Sequence, residues 1–290
     1  MTTVQARTTA TREHAGETLE DTRVAWDTIA PGYDRTNTPT QMWLGNEGLR
    51  RVGLLSGMRF LDVAAGSGAL SVPASRLGAH VLATDLSRRM LDLLEARAAN
   101  ERISIETRVM DGHALQLDDN SFDIAGSQFG VMLFPDLPKG IREMTRVVKP
   151  GGRVLMIVYG DPQKIEFFGF FVAAIQSVRP AFVGPSMNPP PLPFQLQEPQ
   201  RLRRELTNAG LSDIKIETIT ETTAFQTGIE LWNWLIWSNP IVEAVLGQLS
   251  LSSDERQIIQ RSLEELVRER AKGNGPAKLT NPINIGIGTK

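Results

Sequence analysis

An α/β fold built on a mostly parallel sheet, with helices on both faces, is what the sequence predicts, and three observations carry it. Short apolar runs alternate with longer amphipathic stretches between residues 59 and 159, the rhythm of strand and crossover helix. The first run, 59–63, enters a small turn, Ala64-Ala65-Gly66-Ser67-Gly68. The second, 80–84, ends on an acid, Asp85, followed by Leu86 and Ser87 at the mouth of a helix. Strand, bare turn, helix and a second strand closed by a carboxylate make a βαβ unit whose first turn can take a ligand against its backbone.

The elements follow in order from patterning and punctuation. Residues 17–30 carry Leu19, Val24 and Ile29 with Trp26 between them, an amphipathic helix that Pro31-Gly32 should stop. A second helix is expected over 41–55. Strands are expected over 59–63, 80–84, 103–109, 122–127 and 153–159, with helices over 69–77, 87–100 and 137–147. Lys149-Pro150-Gly151-Gly152 reads as the turn that ends the last of these helices and feeds the fifth strand. After Gly160 the character changes. Residues 165–178 form an apolar, Phe-rich helix and 179–199 are dense in proline, an ordered excursion over the ligand edge of the sheet or a lid. Then come a helix over 200–209 capped by Gly210 and an alternating strand over 214–225. A Trp-rich helix over 228–238, two helices within 240–272 with Ser253 as an N-cap before Glu255, and an isoleucine-rich strand over 281–290 close the chain. By role, the chain divides into a disordered tail (1–16), a helical lid segment (17–56), a cofactor-binding core (57–160), a substrate cap (161–200) and a completion of the sheet with extra helices (201–290).

The turn and its two acids restrict the ligand. A dinucleotide site favours Gly-x-Gly-x-x-Gly, because pyrophosphate oxygens approach bare backbone at a helix N-terminus. Here only Gly66 and Gly68 are present, and Asp62 stands just before the turn, where it would repel a pyrophosphate. A cation is favoured beside a carboxylate. S-adenosylmethionine carries an ammonium, a sulfonium and no phosphate, and Asp85 can accept from the hydroxyls of its ribose. A nicotinamide-dependent oxidoreductase is the competing reading, disfavoured by the missing glycine and by Asp62. A cofactor-binding relative that has lost catalysis is the other.

Further along stand Tyr33-Asp34, Asp111-Gly112, Phe122-Asp123 with Phe129-Gly130, and the run Arg146-Val147-Val148-Lys149-Pro150-Gly151-Gly152. With Leu61 to Gly68 and Asp85-Leu86-Ser87, they make the chain resemble the class I S-adenosylmethionine-dependent methyltransferases. Within these it is most similar to the branch holding the ubiquinone and menaquinone C-methyltransferases and many small-molecule enzymes. The resemblance covers residues 26–159 and, more weakly, the C-terminal part. It implies a Rossmann-like, seven-stranded sheet with one antiparallel edge. Two departures stand out. The family more often has glycine where Ala64 stands, and the quinone enzymes' longer signature is not reproduced over residues 36–43.

Residue by residue, the resemblance implies that Asp62 meets the methionine ammonium and that Gly66 and Gly68 admit the ligand, with Ala64 and Ser67 lining the same turn. Asp85 would hold the ribose, Leu86 and Met90 would flank the adenine, and Asp111, Gly112 and His113 would read its polar edge. Ser127 and Gln128 would lie where cofactor and acceptor meet, and Tyr33 would close over the cofactor. Each has a bland alternative: Asp85 as a helix N-cap, the glycines as a plain tight turn, Met90 as core. Phe129, Met132, Phe168 and Trp234 are expected to line an apolar acceptor pocket, although aromatic stripes at helical spacing are more often core. No residue stands out as a catalytic base, which suits transfer driven by positioning.

Composition narrows the function further. Lys and Arg total 31 against 33 Asp and Glu, so no basic field supplies the counterion release that nucleic-acid binding needs. The Arg201, Arg203 and Arg204 cluster is interleaved with Glu198 and Glu205 and reads as a solvated face. Cysteine is absent, which excludes disulfides and every thiolate-dependent methyl transfer. The three widely spaced histidines form no metal set. No apolar run reaches membrane-spanning length. The expectation is therefore a cytoplasmic enzyme that methylates a small, lipophilic or aromatic molecule, with homo-oligomerisation open.

Overall fold

The computed structural model describes residues 18–273 and 275–290, so the predicted tail at 1–16 lies outside the described residues. Two helices, α1 (Leu19–Thr36) and α2 (Thr38–Val52), precede β1 (Arg59–Val63), α3 (Ser71–Arg76), β2 (His80–Asp85), α4 (Arg88–Glu101) and β3 (Ile105–Val109). Next come β4 (Phe122–Gln128), α5 (Leu137–Val147), β5 (Val148–Tyr159), α6 (Glu166–Gln176) and α7 (Pro199–Asn208). The chain ends with β6 (Ser212–Phe225), α8 (Gly228–Ser238), α9 (Pro240–Gln248), α10 (Ser253–Ala271) and β7 (Ala277–Thr289).

The strands form one seven-stranded sheet in the order β3-β2-β1-β4-β5-β7-β6. The first five are parallel, and β7 runs antiparallel to both β5 and β6. The antiparallel strand is thus one place in from the edge rather than the edge itself. Strand order reverses between β1 and β4, and a crevice opens outside the carboxyl ends of strands at such a switch point. The sequence explains why β1 is central. Phe60, Leu61 and Val63 are fully buried, and each contributes on the order of 1.5–3 kcal/mol by leaving water. Asp62, in the same buried strand, works against that gain.

A first core packs around this sheet, and a second gathers α6, α8 and α10 over the ends of β6 and β7 through Phe167, Phe171, Phe225, Trp234 and Leu263. Phe168 packs at the edge of this second core, its ring 5.7 Å from Phe194. The proline-rich stretch carries a single helical turn, Leu192–Phe194, and is tied to the end of β4, because Gln195 Nε2 donates to the carbonyls of Met132 (2.6 Å) and Phe134 (3.0 Å).

Three local expectations are corrected. Pro31-Gly32 does not stop α1, which runs on to Thr36. The reason is tertiary: Gly32 lies so close to Trp237 that a Cβ there would sit 2.2 Å from the indole. That packing against α8 offsets the hydrogen bond a mid-helix proline removes. The turn at Lys149 to Gly152 lies inside β5 as an irregularity, with Val148 opposite Phe122 and Arg153 opposite Ile124. The N-cap of α10 is Ser252, not Ser253. Its hydroxyl accepts from the Glu255 amide (3.2 Å) while its own amide donates to Glu255 Oε2 (2.9 Å), a reciprocal capping box.

Candidate active site

The turn after β1 is held in left-handed backbone at Ala64 (φ 56°), Gly66 (φ 54°) and Gly68 (φ 100°). Two of these positions have glycine, for which the conformation is free; at Ala64 it costs roughly 1–2 kcal/mol. The Ala64 methyl is accommodated because residue 130 is glycine: a Cβ at Gly130 would lie 2.5 Å from it. The turn is anchored on both sides. Gly66 N donates to Asp85 Oδ2 and Ser87 N to Asp85 Oδ1, each at 2.8 Å. The Ser67 and Thr38 hydroxyls are paired at 2.5 Å, which ties the turn to α2. Ser127 accepts from Val131 N (3.0 Å) and donates to Val63 O (2.8 Å), which fixes the end of β4 against the end of β1.

A cavity of about 250 Å³ opens over this turn. Of the residues singled out in the sequence, Tyr33, Asp62, Ala64, Gly66, Asp85, Leu86, Met90, Asp111, Gly112, His113, Gln128 and Phe129 line it. Ser67, Gly68 and Ser127 lie behind the wall and support it. Met132 and Trp234 are buried in the first and second cores and Phe168 belongs to the second; none of the three lines the cavity. For these the core alternative describes their position. A larger groove of about 730 Å³, which includes Arg59 and His80 at the first residues of β1 and β2, holds none of the predicted residues.

Electrostatics concentrate on the two acids. Burial, reinforced by the neighbouring Asp85, pushes the Asp62 carboxyl up to about 7, although the Ser71 hydroxyl donates to Oδ2 at 2.6 Å. Its Oδ1 is buried and has no partner. A buried carboxylate with one orphaned oxygen costs several kcal/mol unless a cation or donor meets it. Asp85 is also raised by burial, with the amides of Ser87 and Gly66 opposing. Each of its oxygens accepts one of these amides, leaving lone pairs for a diol. Burial and then Asp85 and Asp62 hold the Tyr33 phenol well above its ordinary range, and its hydroxyl donates to Gln41 Oε1 at 3.0 Å.

At the opposite end, Asp111 Oδ1 takes both the His113 amide (2.9 Å) and ring Nδ1 (2.8 Å). The His113 amide is therefore engaged within the loop. Oδ2 of Asp111 and the buried His113 Nε2, which has no partner, are the remaining polar groups. The Phe134 ring lies 4.4 Å from the imidazole.

Sequence reasoning missed much of the enclosure. Leu19, Thr22, Ala25 and Trp26 form one wall because α1 continues across the cavity mouth. Asp27 fixes it there, accepting from the Ser87 hydroxyl at 2.5 Å, and Asp34 accepts from Arg97. The i, i+3, i+6, i+7 spacing of Leu19, Thr22, Ala25 and Trp26, one helical face, was a readable signal. Leu192 arrives from the cap, and Asn239-Pro240-Ile241 from the junction of α8 and α9, with no local signal.

The donors and acceptors fit S-adenosylmethionine: an orphaned carboxylate oxygen for an ammonium, a carboxylate with spare lone pairs for a diol, an apolar slot between Leu86 and Met90, and no Lys or Arg for phosphate among the described lining residues. The chain matches a family model described as a methyltransferase domain over residues 61–156. It is 30% identical to the demethylmenaquinone methyltransferase of Renibacterium salmoninarum over 211 residues, 69% of this chain and 87% of that one. An uncharacterised protein of Mycobacterium tuberculosis is 39% identical over 129 residues, 44% of this chain and 46% of the relative, so the chain spans about half the length of several curated relatives it matches. Among solved structures, the YcgJ protein of Bacillus subtilis superposes with a TM-score of 0.51 at 18% identity, covering 86% of this chain and 97% of that one, which shows a shared fold. Taken together with the turn and its bracketing acids, these matches mean that the chain belongs to the class I S-adenosylmethionine-dependent methyltransferases.

Proposed function

We propose that the chain binds S-adenosylmethionine in the 250 Å³ cavity and transfers its methyl group to a small lipophilic or aromatic acceptor. The observation that carries this reading is the Asp62–turn–Asp85 arrangement: a buried, raised carboxyl with an orphaned oxygen, three left-handed backbone positions, and a second carboxylate anchored to the turn amide. Bound there, the cofactor would supply an electrophilic methyl that needs no further activation. Asp62 would pair with its ammonium, Asp85 with its ribose, and Leu86 and Met90 would sandwich its base. Asp111 and His113 would meet the edge of that base, the histidine through its ring nitrogen rather than its amide.

The protein's contribution is placement. Trp26 and Tyr33, carried across the mouth by α1, exclude water, while Gln128 and Phe129 at the end of β4 face the reacting end. Holding nucleophile, methyl and sulfur in line in a dry site supplies on the order of 7–11 kcal/mol. The acceptor's apolar body would lie against Phe129, Leu133, Phe134 and Leu192. A demethylmenaquinone-like ring is compatible with these walls, and the changed sequence at residues 36–43 points to a different acceptor within that chemistry.

Titration calorimetry with S-adenosylhomocysteine and, separately, NAD tests the cofactor. Binding of the first and not the second is expected; the reverse would overturn the reading.

A further inference from the structure

One carboxylate joins α1 to the strand end that carries Asp85. Asp27 Oδ1 accepts the Ser87 hydroxyl at 2.5 Å and lies 3.4 Å from the Arg89 amide, while Arg23, one turn earlier, engages its Oδ2. Ser87 is fully buried and is the N-cap of α4, its Oγ accepting from Met90 N at 3.0 Å. Its hydroxyl proton goes to Asp27, and its amide donates to Asp85 Oδ1 at 2.8 Å. Three bonds therefore meet at one buried serine: one to α1, one to the first turn of α4, and one to a carboxylate that lines the cavity.

The place suits an anion, because the positive end of the α4 macrodipole faces it. Arg23, itself paired with Glu20, fixes the second oxygen of Asp27. Thr22, Ala25 and Trp26 of the same helix line the cavity, so the carboxylate fastens the wall that α1 presents. Without Asp27, the Ser87 hydroxyl would keep a proton with no acceptor in a buried place, and an unpaired buried donor is expensive. Ser87 would then shift toward another acceptor, and the amide that aims Asp85 would shift with it. The Asp34–Arg97 ion pair also ties α1 to α4, but among the described residues no hydrogen bond links it to Ser87 or Asp85.

We propose that Asp27 is a positioning residue for the cofactor; this rests on the cofactor reading above. Through Ser87 it couples the docking of α1 over the cavity to the pose of the Asp85 carboxylate, and so to the grip on a ligand's ribose diol. Linkage makes the coupling reciprocal. A docked α1 favours the Asp85 pose that receives the diol, and a ligand whose diol occupies Asp85 favours a docked α1. A tie that merely fastened two helices would support every ligand in the cavity alike, whereas this one acts on the ribose hydroxyls.

The test competes adenosine and 2′,3′-dideoxyadenosine, which lacks both ribose hydroxyls, against S-adenosylhomocysteine in titration calorimetry on the full chain. Asp27→Ala should weaken adenosine about tenfold, the scale of one lost charge-assisted bond, and 2′,3′-dideoxyadenosine no more than about twofold. Asp27→Asn, whose amide can still bond the Ser87 hydroxyl, should stay within about threefold of the parent for both nucleosides. Equal losses for the two nucleosides in Asp27→Ala, or no loss for either, would overturn the proposal. So would an asparagine variant as weak as the alanine one, since the charge and not the bond would then be the agent. Failure of the cofactor reading has a separate signature: the parent itself would hold the two nucleosides equally, or would not bind S-adenosylhomocysteine at all.

Discussion

Replacing Asp62 by Asn separates the cost of the site from its use. The Asp62 carboxyl is raised from an ordinary 3.8 to about 7, so the folded chain holds a proton that the unfolded chain releases. Stability therefore falls as pH rises from about 4 to about 7 and stays at its lower value above that. An amide of the same shape can keep the Ser71 hydrogen bond and has no charge to desolvate. The span of roughly three pH units corresponds to about 4 kcal/mol as a ceiling. Water entering the adjoining cavity should reduce the realised gain to about 2 kcal/mol, or some 4–8 °C in melting temperature. Differential scanning calorimetry across pH is the assay: Asp62→Asn should melt higher than the parent at pH 8, and the two should converge near pH 4. Cofactor affinity should move the other way. Losing the carboxylate opposite an ammonium costs about 1.5–3 kcal/mol, a tenfold to hundredfold weaker complex. Parent affinity should fall as pH drops below about 7, because a protonated Asp62 cannot pair with the ammonium, and the variant should be flat over that range. A variant that is less stable than the parent at pH 8, or that binds S-adenosylhomocysteine as tightly, would refute the reasoning.

Other perturbations read neighbouring parts of the site. Asp85→Ala removes the acceptor of the Gly66 and Ser87 amides and of the proposed ribose bonds; calorimetry should show binding weaker by about 1–3 kcal/mol, and unchanged affinity would discredit the ribose assignment. Tyr33→Phe deletes the bond to Gln41 and should raise the cofactor dissociation constant by up to about tenfold, a loss of 0.5–1.5 kcal/mol. Gly130→Ala forces a methyl against Ala64 and should lower stability by about 1–3 kcal/mol in denaturant titrations; adding Ala64→Gly should recover part of it, since it removes both the facing methyl and the left-handed strain. Gly32→Ala drives a methyl into Trp237, so limited proteolysis should show α1 released from α8 while the sheet stays protected.

The chain's local chemistry reached far in the core. The limits of β1 and α5 match the sequence reading residue for residue, because each is a periodic segment, apolar in β1 and amphipathic in α5, bounded by its own punctuation. Asp62, Gly66 and Asp85 could be read as one site from the βαβ pattern, since such a unit brings the carboxyl ends of neighbouring strands together whatever surrounds them, while Asp111 joined them only through the family resemblance. Aromatic residues were legible only as apolar. Phe129 reaches the cavity while Trp234 and Phe168 serve the second core, a division that depends on how α6, α8 and α10 stack and that helical spacing does not encode.

Long-range packing decided the rest. Pro31 ends a helix in isolation, yet α1 continues because Gly32 seats against Trp237, and that continuation carries Tyr33 into the wall beside Trp26. Glu221 looks like one more acid in an alternating strand. Only its register against Asn281, in the middle of the sheet's β6–β7 pair, makes it a buried carboxyl. Local propensity acts over a few residues and fixes which atoms the βαβ turn presents. The enclosure that gives them a dry, selective chamber comes from contacts between segments up to two hundred residues apart, whose relative placement no local pattern carries.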